Sequence, residues 1–171
     1  MDLKNNEFIK KDEHYLNKYG FITIDKIQTI TPASGVGVST YSTNLRLAID
    51  KSIWNIIIDS QRLQITNNQY RHISGRITNN EYLNDFKIKS KSNFLTFFLD
   101  SNKLSNFYEV QGNDLFKLKI QKVEKLLLEL RDKNVEIKKI NGELTFSFYF
   151  NSYFNDIYYD YVFDILREIT F

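Results

Sequence analysis

A chain of 171 residues with 42% hydrophobic and 26% charged residues is long enough to bury a substantial core as one globular domain, 1–171, and is not composed like a disordered segment. A formal net charge of +2 sets up no long-range field that would demand a nucleic-acid or membrane partner. The lack of cysteine removes disulfides, thiol catalysis and thiolate metal sites.

Residues 5–19 read as a helix, capped by Asn5 or Asn6, carrying Phe8, Tyr15, Leu16 and Tyr19 as a partial stripe and stopped by Gly20. The β-branched run 21–30 reads as a strand, and "TPASGVG" as a loop. From Tyr41 the pattern alternates, with Tyr41, Thr43, Leu45, Leu47 and Ile49 on one face of a strand. Segment 50–61, "DKSIWNIIIDSQ", reads as a helix capped by Asp50, although its four isoleucines argue for a strand. Segment 70–77 is expected as a strand with an irregularity at its glycine. Two strands are expected within 85–100, around a polar turn at Lys91 to Asn93, and 107–110 reads as a further short strand.

The clearest helix lies at 119–134, where Ile120, Val123, Leu127 and Leu130 form the buried stripe beside Leu126, and Asn134 is a C-terminal cap. Then "VEIKKI-NG-ELTFSFYF" carries Asn-Gly between two alternating runs, the sequence of a type I′ hairpin. Pairing Ile140 with Glu143 sets the register: Lys138 faces Thr145, Ile137 faces Phe146, Glu136 faces Ser147 and Val135 faces Phe148. Val135, Ile137, Leu144, Phe146, Phe148 and Phe150 share the buried face. Glu136, Lys138, Ile140, Thr145, Ser147 and Tyr149 share the wet one. A last helix from about Asn155 to Ile169 buries Tyr158, Val162, Ile165 and Ile169, flanked by Phe154 and Tyr161, and gathers Asp156, Asp160, Asp164 and Arg167 on the opposite side. The expected fold class is α+β, a mainly antiparallel sheet with three or four helices that include a C-terminal helix–hairpin–helix unit.

No catalytic motif stands out. Gly35-x-Gly37 lacks the third glycine of a dinucleotide loop and the lysine of a phosphate-binding loop, and reads as a turn or bulge. His14 and His72 are the two histidines. They are not spaced as a zinc pair, and nothing around the serines resembles a nucleophile elbow. Glu136-x-Lys138, with Asp100 or Asp114 upstream, has the form of a divalent-metal nuclease site. The same triplet recurs at Asp2/Lys4 and Asp85/Lys87, as this composition produces by chance. No metal site and no cofactor are expected.

The middle third is mildly basic. Arg71, Arg76, Lys87, Lys89 and Lys91, interleaved with Tyr70, Tyr82 and Phe86, are the residues through which a nucleic acid would bind. The protein-binding candidates are Tyr149, Tyr159 and Phe163, three rings left outside the core stripes, together with Lys138 and Ile140, which share the wet face of the hairpin with Tyr149. Tyr159 and Phe163 have two readings: packing under a neighbouring loop, or a partner-binding strip.

Lys, Asn and Ile number 17, 18 and 20, whereas Ala, Gly and Pro number 2, 6 and 1. This skew fits an AT-rich genome, bacterial or phage. "MDLKNNEFIKKDEH" lacks the apolar stretch of a signal peptide, and the longest aliphatic run, Ile56 to Ile58, is too short to span a membrane. The expected location is the cytoplasm. The leading functional expectation is a non-catalytic interaction or assembly protein, either an immunity-type binder or a subunit of a larger complex, whose partner is another protein or copies of itself. Nucleic-acid binding is the second expectation and a metal nuclease the third.

Overall fold

The computed structural model describes residues 16, 18–33, 36–49, 52–63, 69–78, 84–91, 100, 102–150 and 154–171. In chain order these form β1 (Ile22–Ala33), β2 (Val36–Ile49), β3 (Ser52–Leu63), β4 (Gln69–Thr78), β5 (Phe86–Ser90), α1 (Leu104–Phe107), β6 (Tyr108–Gln111), α2 (Asp114–Glu129), β7 (Asn134–Ile140), β8 (Glu143–Phe150) and α3 (Ile157–Thr170). The strands make one sheet in the order β1-β2-β3-β4-β8-β7-β5-β6, and every neighbouring pair is antiparallel. The fold is therefore α+β on an antiparallel sheet, with three helices among the described residues. Of the expected helix at 5–19, Leu16 is helical and Lys18 and Tyr19 lie in a turn; the rest of it lies outside the described residues, as does the strand expected after the polar turn at 91–93.

The C-terminal hairpin follows directly from its sequence. Asn141 and Gly142 both take positive φ, 52° and 81°, the conformation that a type I′ turn requires and that Asn-Gly adopts with least strain. That turn sets Ile140 opposite Glu143 and fixes all the cross-strand pairs expected above. Alternation then buries Val135, Ile137, Leu144, Phe146, Phe148 and Phe150 and leaves Lys138, Ile140 and Tyr149 exposed.

Segment 50–61 corrects the sequence reading: it is strand β3, not a helix. Ser52, Trp54, Ile56 and Ile58 are buried, whereas Ile53, Asn55 and Ile57 are exposed. A period of two, not 3.6, thus governs the segment. Its isoleucines are stiff at χ1 and pack well on a pleated surface, and both β2 and β4 pair with it over its length. The Asp50 cap lies outside the described residues. The loop expected at "TPASGVG" is also mostly strand, since β1 runs through Ala33 and β2 starts at Val36.

The helices shift in boundary rather than in character. Helix α2 starts at Asp114 because the Asn113 side chain accepts a hydrogen bond from the Phe116 N–H at 2.9 Å, satisfying one of the donors that a helix start leaves open. It ends at Glu129, and Asn134 opens β7 instead of capping the helix. The expected stripe is buried, with Phe116 added one turn earlier. Phe116 stacks on Phe86 of β5, centroids 4.0 Å apart, and the Tyr108 hydroxyl of β6 donates to the Leu127 carbonyl at 2.9 Å. Lys122 and Glu168, 2.6 Å apart, bridge α2 to α3.

Helix α3 buries a wider arc than its period predicts: Tyr159, Phe163 and Leu166 are buried with Val162, Ile165 and Ile169. Phe163 lies 4.9 Å from Tyr19 and 4.8 Å from Phe21 between ring centroids. The segment that leads into β1 thus covers the flank of α3 that periodicity assigns to solvent. Opposite α3, the Arg71 guanidinium lies inside the core, donating from Nη1 to the Tyr159 hydroxyl, with its carbon 4.5 Å from the Phe154 ring centre. Gly75 of β4 sits where Phe146 crosses the sheet. A Cβ there would come within 2.7 Å of the Phe146 ring and 2.3 Å of the Asn55 carbonyl oxygen, so the glycine is a close-approach position and not a break in the strand.

Candidate functional site

Strand alternation gives the sheet two unlike faces. The described helices pack on the apolar one, and the other faces solvent. Cross-strand partners arrange the solvent face in rows. One row runs Arg46, Asn55, Arg76, Thr145, Lys138 and Lys87. The next runs Asn44, Ile57, Ser74, Ser147, Glu136 and Lys89, ending at Glu109. A third runs Ser42, Asp59, His72, Tyr149 and Asn134.

A polar relay runs along the third row and ends on Ser147 of the second. The Ser42 hydroxyl donates to Asp59, Asp59 Oδ2 lies 3.9 Å from His72 Nδ1, and His72 Nε2 shares a hydrogen bond with Ser147 Oγ at 2.8 Å. The Tyr149 ring meets His72 edge-on at 6.1 Å. A serine, an imidazole and a carboxylate in this sequence have the outline of a nucleophile triad. Two features separate it from one. The Asp59–His72 separation is beyond hydrogen-bond length. Ser147 also stands mid-strand with ladder partners on both sides, so its backbone N–H is turned to a neighbouring strand and not to a developing oxyanion. What the arrangement does chemically is hold four side chains of four strands in fixed orientation on the open face.

The nuclease constellation is not assembled. Asp100 accepts from the Asn102 N–H at 3.0 Å. Asp114 is bound to Lys117 at 2.9 Å, a contact that holds its carboxyl below the usual range. Among the described residues no three histidine or acidic side chains converge.

The protein-binding candidates divide. Tyr149, Lys138 and Ile140 are exposed on the open face. Tyr159 and Phe163 are not: they are 0% and 1% exposed, stacked on each other with centroids 6.1 Å apart. Of the two readings given to this pair, packing beneath a neighbouring segment is the one that the geometry supports. The basic candidates divide as well. Arg71 is buried, so it cannot touch a phosphate. Lys91 donates to the Ser105 carbonyl at 2.6 Å, and Arg76 pairs with Glu143 at 3.0 Å. Lys87 and Lys89 remain on the open face. There Arg46, Arg76, Lys87, Lys89 and Lys138 stand against Asp25, Asp59, Glu109, Glu136 and Glu143, which leaves no net long-range field to draw in a nucleic acid.

Three surface features escaped the sequence reading. The outer edge of β1 has no strand partner among the described residues, and Ile22, Ile24 and Ile27 along it are 70%, 60% and 52% exposed. Ile53 and Ile57 of β3 are exposed on the open face. Reading 50–61 as a strand would have placed these two isoleucines, together with Asp59, opposite Trp54, Ile56 and Ile58. A shallow groove of about 440 Å³ lies between α1 and α2, rimmed by Lys103, Lys117 and Glu124. It gathers no paired acid and base.

The fold and this surface define a class: an α+β protein on one antiparallel sheet, with helices on one face and a patterned polar face opposite. Comparison with known proteins returns no matching family model, no matching curated protein and no matching solved structure. No described helix is long and apolar enough to cross a membrane.

Proposed function

We propose that this is a non-catalytic protein-binding module, acting in the cytoplasm of an AT-rich bacterium or its phage, which docks a partner on the open sheet face and the β1 edge. The observation that supports it best is β1. Along an edge strand of 12 residues, three isoleucines that are each more than half exposed stand where folded proteins ordinarily place charges or cover. Unpaired edge N–H and C=O groups offer affinity to an added strand, and neighbouring side chains offer specificity. Lys26 and the register shift between Thr23 and Asp25 guard the edge only in part. Ile140 and Tyr149 extend the same kind of surface onto the open face. An immunity-type binder and a subunit of a larger assembly both use surfaces of this kind.

The test compares affinity capture from native lysate by wild type, by the edge variant Ile24→Lys/Ile27→Lys and by the face variant Ile140→Asp/Tyr149→Asp, after circular dichroism has shown that all three fold. Surface substitutions of this type shift stability by only about 0.5 kcal/mol, so the variants are expected to fold and to lose the partner. Capture of the same protein by all three would refute the reading.

A further inference from the structure

We propose that the row Arg46, Arg76, Lys138 and Lys87 is a recognition stripe for an acidic segment of a partner protein, laid across the strands of the open face. The inference rests on the protein-binding reading above and names the chemistry of its partner.

Four cations stand in one cross-sheet row on β2, β4, β7 and β5. Arg46, Lys87 and Lys138 form no ion pair with a described residue, and Arg76 has only the exposed contact with Glu143. Lys87 stands directly opposite Lys138. Like charges in that position destabilise a strand pair, whereas a carboxylate between them would turn the repulsion into two attractions. The stripe is a cost to the free protein that an acidic partner would relieve.

The neighbouring rows indicate what kind of anion fits. Glu136 and Glu109 flank Lys89 on one side, and Glu143 lies between Ile140 and Thr78 on the other. A nucleic acid crossing this face would bring phosphates against those carboxylates. No ring lies within the basic row to stack a base. A protein segment can place carboxylates on the row alone and apolar groups over Ile53, Ile57 and Ile140. Arg46, Arg76 and Lys138 stand two strands apart in turn, a step of about 10 Å. Residues seven apart on an α-helix give nearly the same step, about 10.5 Å. Acidic residues at seven-residue spacing on one helix face are thus the matching ligand.

The experiment measures fluorescence anisotropy with three labelled probes: a helical peptide with glutamates at seven-residue spacing, the same peptide with glutamines, and an oligothymidylate. The full-length protein is compared with Lys87→Glu/Lys138→Glu and with Arg46→Glu. The proposal expects wild type to prefer the glutamate peptide to both other probes, and each variant to bind that peptide about tenfold more weakly or worse with an unchanged circular dichroism spectrum. Equal affinity for the glutamine peptide, undiminished binding by the variants, or tighter binding of the oligothymidylate would each overturn it. If the charge variants still capture the lysate partner that the Ile24→Lys/Ile27→Lys variant loses, the stripe is wrong and the protein-binding reading stands. If neither set of variants loses it, both fall.

Discussion

Arg71 shows what individual residues contribute beyond their type. It alternates with Ile73 and Ile77 on the buried face of β4, yet it fills its place as an apolar residue would, with its charge held against aromatic faces and the Tyr159 hydroxyl. Such long side chains pack with their stems and tolerate burial only when their donors are engaged. Arg71→Ala removes that packing and strands Tyr159, and is expected to cost about 3 kcal/mol in urea denaturation. Gly75→Ala drives a Cβ into Phe146 and the Asn55 carbonyl and should lower stability by about 2–3 kcal/mol. At Tyr108, burial first and the Asp132 carboxylate second push the hydroxyl well above its ordinary value of 10.0. A folded-state pKa raised above the unfolded one gives stability that is complete below the unfolded value and is lost as pH rises past it. Urea midpoints should therefore begin to fall above about pH 10, and less steeply in Tyr108→Phe, which also forfeits the bond to Leu127.

Elements were legible wherever one physical signal stood alone. Asn141-Gly142 demands positive φ, and the period of two on either side settles which face is buried, so register and core face of β7 and β8 could both be read in advance. Gly142→Ala should cost about 1 kcal/mol, measured as a shift in the denaturation midpoint, because alanine is strained at φ 81°. Segment 50–61 was misread because two signals competed: Asp50 looks like a helix cap, and Ile53/Ile57 beside Trp54/Ile58 satisfies helical spacing as well as strand alternation. Pairing with β2 and β4, which no local pattern reveals, decides it. In α3 the helical period was correct but the width of the buried arc was not. Tyr159 is covered by the nearby Phe154, and Phe163 by Tyr19 and Phe21, contacts from far along the chain. A single helix face carries no record of how many neighbours press on it.

At the scale of the whole molecule, most of the described aromatic rings belong to the core, and of them only Tyr149 falls on the surface proposed for binding. Lys138, Ile140 and Tyr149 were foreseeable on the open face from hairpin alternation alone. The rows that join them to Arg46, Arg76 and Lys87 depend on strand order, and β4 beside β8 is a pairing of segments about 70 residues apart in sequence, a separation across which periodicity carries no information. The exposed isoleucines of β1 were equally hidden, since a β-branched run looks the same at the edge of a sheet as at its centre. The central claim is that this edge and the face beside it are where a partner docks. Hydrogen–deuterium exchange of the protein, free and bound to the partner it captures, tests that claim most directly. Binding should slow exchange in β1, whose outward N–H groups have no ladder partner among the described residues, and leave α2 and α3 unchanged; protection gained in α2 or α3 with β1 still exchanging freely would contradict it.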